Sequence, residues 1–171
     1  MKTKAASVEA ISALLYAVVE RYDDGTDPER EYLMERCPAR FHAVVRELPA
    51  AAVHLMAAIG ESDTDGGVNI VGLAARSGHL KGTVSKHVQR LVDAGLVERT
   101  PVPGNRKEIR LQLTADGRAL DRVHRQMHDE KDAGLREFLS RYTAAELQTI
   151  AKVLDDLLHA ETRGVRVLPR P

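Results

Sequence analysis

The 171-residue chain has no Trp, one cysteine, and only four Tyr and two Phe. So few rings leave little from which to build the stacking platform of a single-strand nucleic-acid binder. The lone Cys37 excludes a disulfide framework within one chain and suits a reducing compartment. No apolar run approaches the roughly 18 residues of a membrane span. The opening stretch MKTKAASVEAISALLYAVVERY mixes charge into its apolar part, unlike a signal peptide. A cytoplasmic protein with no membrane partner is expected. Catalytic signatures are also missing: no Gly-rich phosphate loop, no nucleophile elbow, no His-Glu-x-x-His. Asp155 and Asp156 are adjacent on a predicted helix and diverge, and Asp129, Glu130 and Asp132 read as a solvated face. The expectation is a protein that is not an enzyme.

What is present is ordinary globular composition, 43% hydrophobic and 29% charged, in a length that suits one domain, residues 1–171. Net charge is zero, yet residues 69–118 hold nine Lys/Arg against four Asp/Glu, a local +5 balanced by −5 elsewhere. A basic centre between acidic flanks fits a phosphate-binding module on a neutral scaffold.

Periodicity organises the chain. Val8, Ile11, Leu14, Leu15, Val18, Val19 and Tyr22 mark a first helix. Asp27-Pro28 starts a second as N-cap and first position, and this stretch to Leu48 is interrupted by Pro38. Pro49 opens an apolar helix, Ala50 to Gly60, with His54 as its one polar interior side chain. Glu61 to Gly67 reads as a loop. Asn69 caps a short helix over Ile70, Leu73 and Ala74, and Ser77-Gly78-His79 turns the chain. A helix from Gly82 to Ala94 buries Val84, Val88, Leu91 and Val92, and Gly95 ends it. The period then changes to two. Leu96–Thr100 and Glu108–Leu113 read as strands around the turn sequence Pro101 to Lys107. Thr114 caps a long helix through Leu120, Val123, Met127 and Leu135, and Thr143 with Glu146 forms a capping box for the last.

Short helix, turn, second helix and hairpin, in that order, define a winged helix-turn-helix. The fold class expected is mainly α with a small β-hairpin wing, a winged helix-turn-helix domain plus a helical dimerisation region. The second helix leaves Lys81, Thr83, Ser85, Lys86, His87, Gln89 and Arg90 to its exposed side. Those residue types reach phosphates and base edges in a major groove about 12 Å wide. The backbone N–H groups of Gly82 and Thr83 favour a phosphate. Asn105, Arg106 and Lys107 sit at the expected wing tip, placed for a minor groove. Double-stranded DNA is the expected partner; a winged helix used only for protein contact fits the charge poorly.

The stretch KGTVSKHVQRLVDAGLVERTPVPGNRKEIRLQLTADGRAL, residues 81–120, resembles MarR-type transcriptional regulators. Thr-Val-Ser at 83–85, the following Leu-Val-Asp-Ala-Gly-Leu-Val and the Leu-Thr-x-x-Gly after the wing carry the likeness. The resemblance implies a homodimer, most often a repressor, on a pseudo-palindromic site. It divides the chain into a helical dimerisation region (1–48 and 114–163), a winged lobe (49–113) and a flexible tail (164–171). One departure stands out. Where the family's wing carries Asp-x-Arg, this chain has Asn105, Arg106 and Lys107, which keeps the positive charge and loses the acid.

His124 and His128 are four residues apart on the helix after the wing and share one face, a spacing that suits two imidazoles on one metal. A solvated pair has the same spacing. The likeness extends to a zinc-responsive branch of the family, which implies metal ligands at His54, His124 and His128. That branch takes a further ligand from the first-helix region; Glu35, Cys37 and His42 are the candidates here. Two other effectors remain open at this level: a small aromatic or lipophilic acid, and oxidation of Cys37.

Overall fold

The computed structural model describes residues 3–22, 25, 27–63, 66–102, 105–163 and 166–168. The chain forms two compact units, Met1–Arg125 and Gln126–Pro171.

The first unit begins with α1 (Lys4–Tyr22), whose apolar side chains Val8, Ile11, Leu14, Leu15, Tyr16, Val18 and Val19 stand exposed. Helix α2 (Pro28–Arg36) starts as the sequence dictates: Asp27 accepts from the Arg30 N–H at 3.0 Å, and Pro28 supplies a preset φ. Pro38 ends it, a 3-10 turn (Ala39–Phe41) follows, and α3 (His42–Glu47) runs to the next proline. This segment is not peripheral. Leu33, Cys37, Phe41, Val45 and Leu48 enter the same core as the winged lobe. The buried cluster thus runs continuously across residue 48.

Helix α4 (Ala50–Ser62) buries Ala52, Val53, Leu55, Met56 and Ile59 and runs two residues past Gly60. Glu61 and Ser62, expected in a loop, continue the helix. The Ser62 hydroxyl donates to the Ala58 carbonyl at 2.9 Å and turns its polarity inward. Thr64 and Asp65 of the expected loop lie outside the described residues. Asn69 caps α5 (Ile70–Ser77) by accepting from Gly72 N–H at 2.8 Å. Gly78 ends α5 at φ 69°, the left-handed conformation that glycine enters without a Cβ penalty.

Helix α6 (Lys81–Asp93) buries Val84, Val88 and Leu91 completely and ends at Gly95, φ 71°. Full burial of a Val or Leu side chain stabilises by about 1.5–3 kcal/mol, so this stripe fixes which face of α6 looks out. Strands β1 (Val97–Val102) and β2 (Asn105–Leu113) pair antiparallel, with a register shift at Pro101/Val102. Both are longer than the sequence indicates. As an edge strand, β1 tolerates Pro101, whose missing N–H costs least there. Val68 bridges to Leu111, whose N–H donates to the Val68 carbonyl at 2.8 Å and ties the wing to the lobe.

Thr114 joins wing to helix. Its Oγ1 donates to the Gly95 carbonyl at 2.6 Å and accepts from Gly117 N–H at 3.0 Å. Helix α7 (Ala115–Leu139) starts in the first unit and continues into the second. In the second unit α8 (Ala144–Leu158) opens on the Thr143–Glu146 capping box. Val153, Leu154 and Leu158 stand exposed on α8, as do Leu135 and Phe138 on the end of α7. Strands β3 (Glu161–Arg163) and β4 (Arg166–Leu168) pair antiparallel, so 166–168 are extended rather than a loose tail. β-branched Thr162 and Val167 face each other in the pair and suit that geometry.

Candidate nucleic-acid interface and metal centre

The face of α6 opposite its buried stripe carries Lys81, Thr83, Lys86, Gln89 and Arg90, all exposed. Ser85 and His87 are half-buried on its flanks. Leu80 precedes the helix without a side-chain cap hydrogen bond, so the first-turn N–H groups at Lys81, Gly82 and Thr83 are not capped by the residue before them. Gln89 is held in place by its bond to Asp93 Oδ1 at 2.7 Å. The His87 Nδ1 is buried with no hydrogen-bond partner among the described residues, and burial lowers the ring's pKa, with Arg90, His79 and Lys86 adding positive charge nearby. In the wing, the backbone of Asn105, Arg106 and Lys107 begins β2 instead of forming the turn; their side chains lie outside the described residues.

An open groove of about 610 Å³ lies between α5, the start of α6 and the wing. Ile70, Val71, Ile109 and Leu111 supply its apolar wall, and Lys81 and Arg99 its cations. Glu108, also in its lining, is 4.0 Å from Arg110.

A second cluster lies on the opposite elements of the first unit. His54 points outward from α4, half exposed, and its Nε2 is 3.2 Å from Glu29 Oε2. The expected interior position is thereby corrected: Val53, Leu55 and Met56 take the buried faces and leave residue 54 outside. His124 is 2% exposed on α7, and the rings of His54 and His124 are 5.6 Å apart. Ligand atoms of Glu29, His54 and His124 all lie within 4.8 Å of one another. His128 stands one turn beyond His124 on α7, half-buried. Two ligands about 2.0–2.1 Å from a tetrahedral zinc sit roughly 3.3 Å apart, so the His54–Glu29 separation matches that geometry. Imidazole nitrogens with one carboxylate are a zinc donor set, and the residues fit this ion.

Glu29 was not among the candidates from sequence. A carboxylate in the first turn of a helix is favoured by the helix dipole and so carries no signal of its own. The three named candidates are elsewhere. Glu35 is exposed, Cys37 is 6% exposed within the core, and His42 Nε2 is 3.2 Å from the Cys37 carbonyl oxygen. Burial also pushes the Cys37 thiol up in pKa, which suppresses the thiolate that oxidation needs. Arg30, next to Glu29, donates to the Arg46 carbonyl at 2.7 Å and ties the start of α2 to the end of α3.

Helix, turn, uncapped polar helix and wing define a winged helix-turn-helix. A MarR family model matches residues 47–108. The HTH-type transcriptional regulator YhjH of Bacillus subtilis (strain 168) is 26% identical over 117 residues, 68% of this chain and 65% of YhjH. The match thus spans just under two thirds of that relative. Among solved structures, FabT of Streptococcus pneumoniae, in complex with DNA, aligns at TM-score 0.61 and 19% identity, over 88% of this chain and 94% of FabT. YusO of Bacillus subtilis aligns at TM-score 0.58 and 21% identity, over 94% and 100%. The fold is thus a winged helix-turn-helix, and residues 47–108 of the chain match the MarR family.

Proposed function

We propose that the chain is a homodimeric repressor that binds a pseudo-palindromic double-stranded DNA site and whose affinity for it is set by zinc. The exposed, basic, uncapped face of α6 carries the DNA reading. Each protomer lays α6 in a major groove, with the wing over the neighbouring minor groove and half-sites about one helical turn apart. Lys86 and Arg90 contact phosphates or base edges, and the α6 N-terminus takes a phosphate. FabT, solved in complex with DNA, supports this mode. The exposed apolar faces of α1 and α8 supply dimer surface, since contiguous apolar patches of that kind mark interaction sites. The protein works in the cytoplasm, by binding and without catalysis.

Zinc regulation rests on the Glu29–His54–His124 cluster of the first unit. Bound zinc ties α2 and α4 to the helix that leaves the wing. That link favours one spacing of the two recognition helices and shifts the population toward the DNA-competent dimer. Selecting the operator from a random library and measuring its affinity against salt tests the DNA reading. Replacing Lys86 with Ala is expected to lower the salt slope by about 0.9 if it meets a phosphate. Binding that ignores salt contradicts the reading.

A second effector class has its own observation. The apolar groove flanked by Lys81 and Arg99 suits a small lipophilic acid, which would compete with DNA for the same face.

A further inference from the structure

On the flank of α6, His87 is buried at one nitrogen and open at the other, an asymmetry that the basic face of the helix does not explain. Nδ1 is sealed from solvent and meets no hydrogen-bond partner among the described residues. Thr83, one turn earlier, and Arg90, one turn later, are both exposed on the same side of the helix. An imidazolium carries N–H groups at both nitrogens, so charging His87 would bury a donor with no acceptor. The surrounding cations, Arg90, His79 and Lys86, oppose that charge as well. Between the neutral tautomers, an orphaned buried N–H is rarer than an under-satisfied acceptor. The surroundings therefore assign the proton to Nε2, which faces outward.

We propose that His87 is an uncharged hydrogen-bond donor to DNA, giving its Nε2–H to an acceptor atom of the duplex. The inference rests on α6 being the DNA-reading helix. It adds a division of labour along that helix: Lys86 and Arg90 supply charge, while His87 supplies a bond whose strength does not depend on ionic strength. The acceptor is a purine N7 or a phosphate oxygen, and both accept a single N–H in the same way.

The test measures affinity of the full chain for its selected operator as a function of salt and pH. The proteins are wild type, His87→Ala, His87→Gln and Lys86→Ala. One neutral hydrogen bond makes His87→Ala weaker by about five- to tenfold. Its slope of log affinity against log salt stays that of wild type, whereas Lys86→Ala, where Lys86 meets a phosphate, loses about 0.9. His87→Gln retains a neutral donor and stays within about twofold of wild type. Wild-type affinity shows no His87-dependent change between about pH 6 and 8, where an imidazole near its ordinary value would titrate. A 7-deazapurine that costs wild type but not His87→Ala identifies a base nitrogen as acceptor. A methylphosphonate with the same pattern identifies a phosphate. Either supports the assignment. Unchanged affinity in His87→Ala overturns it, as does a slope lowered like that of Lys86→Ala, or neither analogue discriminating the two proteins. Wild type that binds no duplex in a salt-dependent way overturns the reading of α6 itself, a result distinct from all of these.

Discussion

Replacing Gly117 with Ala puts a methyl group where the backbone leaves no room. A Cβ built there lies 1.9 Å from the Leu96 carbonyl oxygen and 3.4 Å from the Leu113 Cβ. The carbonyl cannot simply withdraw, because it accepts from the Thr114 N–H at 3.0 Å in the junction between wing and α7. Helix propensity works the other way and favours Ala over Gly by about 0.8–1 kcal/mol. Overpacking costs roughly 1–3 kcal/mol, and more where the obstacle is backbone, so the net loss expected is about 2 kcal/mol. For a chain of this size that lowers Tm by about 4–8 °C. The control is in the same helix: Gly134 has nothing within 4 Å of its Cβ position. There propensity acts alone, and Gly134→Ala is expected to stabilise by up to about 1 kcal/mol. Urea unfolding followed by far-UV circular dichroism reads both variants. A Gly117→Ala protein as stable as wild type, or more so, refutes the steric account of this glycine.

Other consequences follow from the same packing. At Gly60 a Cβ would lie 2.8 Å from Arg125 Nη2, Asp121 Oδ2 and Leu113 Cδ1, all ends of side chains that can shift. Gly60→Ala is therefore expected to cost less than Gly117→Ala in the same urea experiment, and an equal or larger loss contradicts this. Asp121 is 4% exposed, bonded to Arg125 through Oδ2, with its Oδ1 buried and without a hydrogen-bond partner among the described residues. Burial outweighs the Arg125 bond, with Glu61 and Asp63 adding repulsion, and the carboxyl is pushed above its ordinary 3.8. The folded state thus holds this proton more tightly than the unfolded chain does. Its contribution to stability is full below 3.8 and is lost as pH rises through the folded value. Asp121→Asn should gain on wild type as pH climbs from 3.8 through that window, measured by denaturation at each pH; parallel pH profiles contradict the sign. Thr114→Ala removes the acceptor for Gly117 N–H and is expected to cost about 1 kcal/mol, like other lost N-caps. No change in its urea midpoint contradicts that role.

The winged lobe was legible because its signals are local. Asn69 caps its helix within three residues of itself, and Gly78 and Gly95 end helices with a backbone conformation that side chains resist. The stripe Val84, Val88, Leu91 states its own period and is buried, while Val92, expected with it, is only half-buried at its edge. The Leu-Thr-x-x-Gly motif is also explained locally: Thr114 bonds both Gly95 and Gly117, and Gly117 admits the Leu96 carbonyl. What escaped was tertiary. Nothing near Glu29 announces that it meets His54, 25 positions away, because the meeting depends on how α2 packs on α4. His54 itself looked interior by composition. Its neighbours Val53 and Leu55 are buried while it projects outward, a distinction that an almost wholly apolar helix conceals. The wing strands outran their apolar alternation because Pro101 does not stop an edge strand.

The most direct test of zinc control is the affinity of the chelator-treated protein for its operator before and after one equivalent of zinc per protomer, in wild type and His124→Ala. Zinc tightening wild-type binding by tenfold or more, about 1.4 kcal/mol of coupling, with none in His124→Ala, is the predicted result. Equal tightening in both proteins, or none in wild type, contradicts it and returns Glu29, His54 and His124 to a purely structural role.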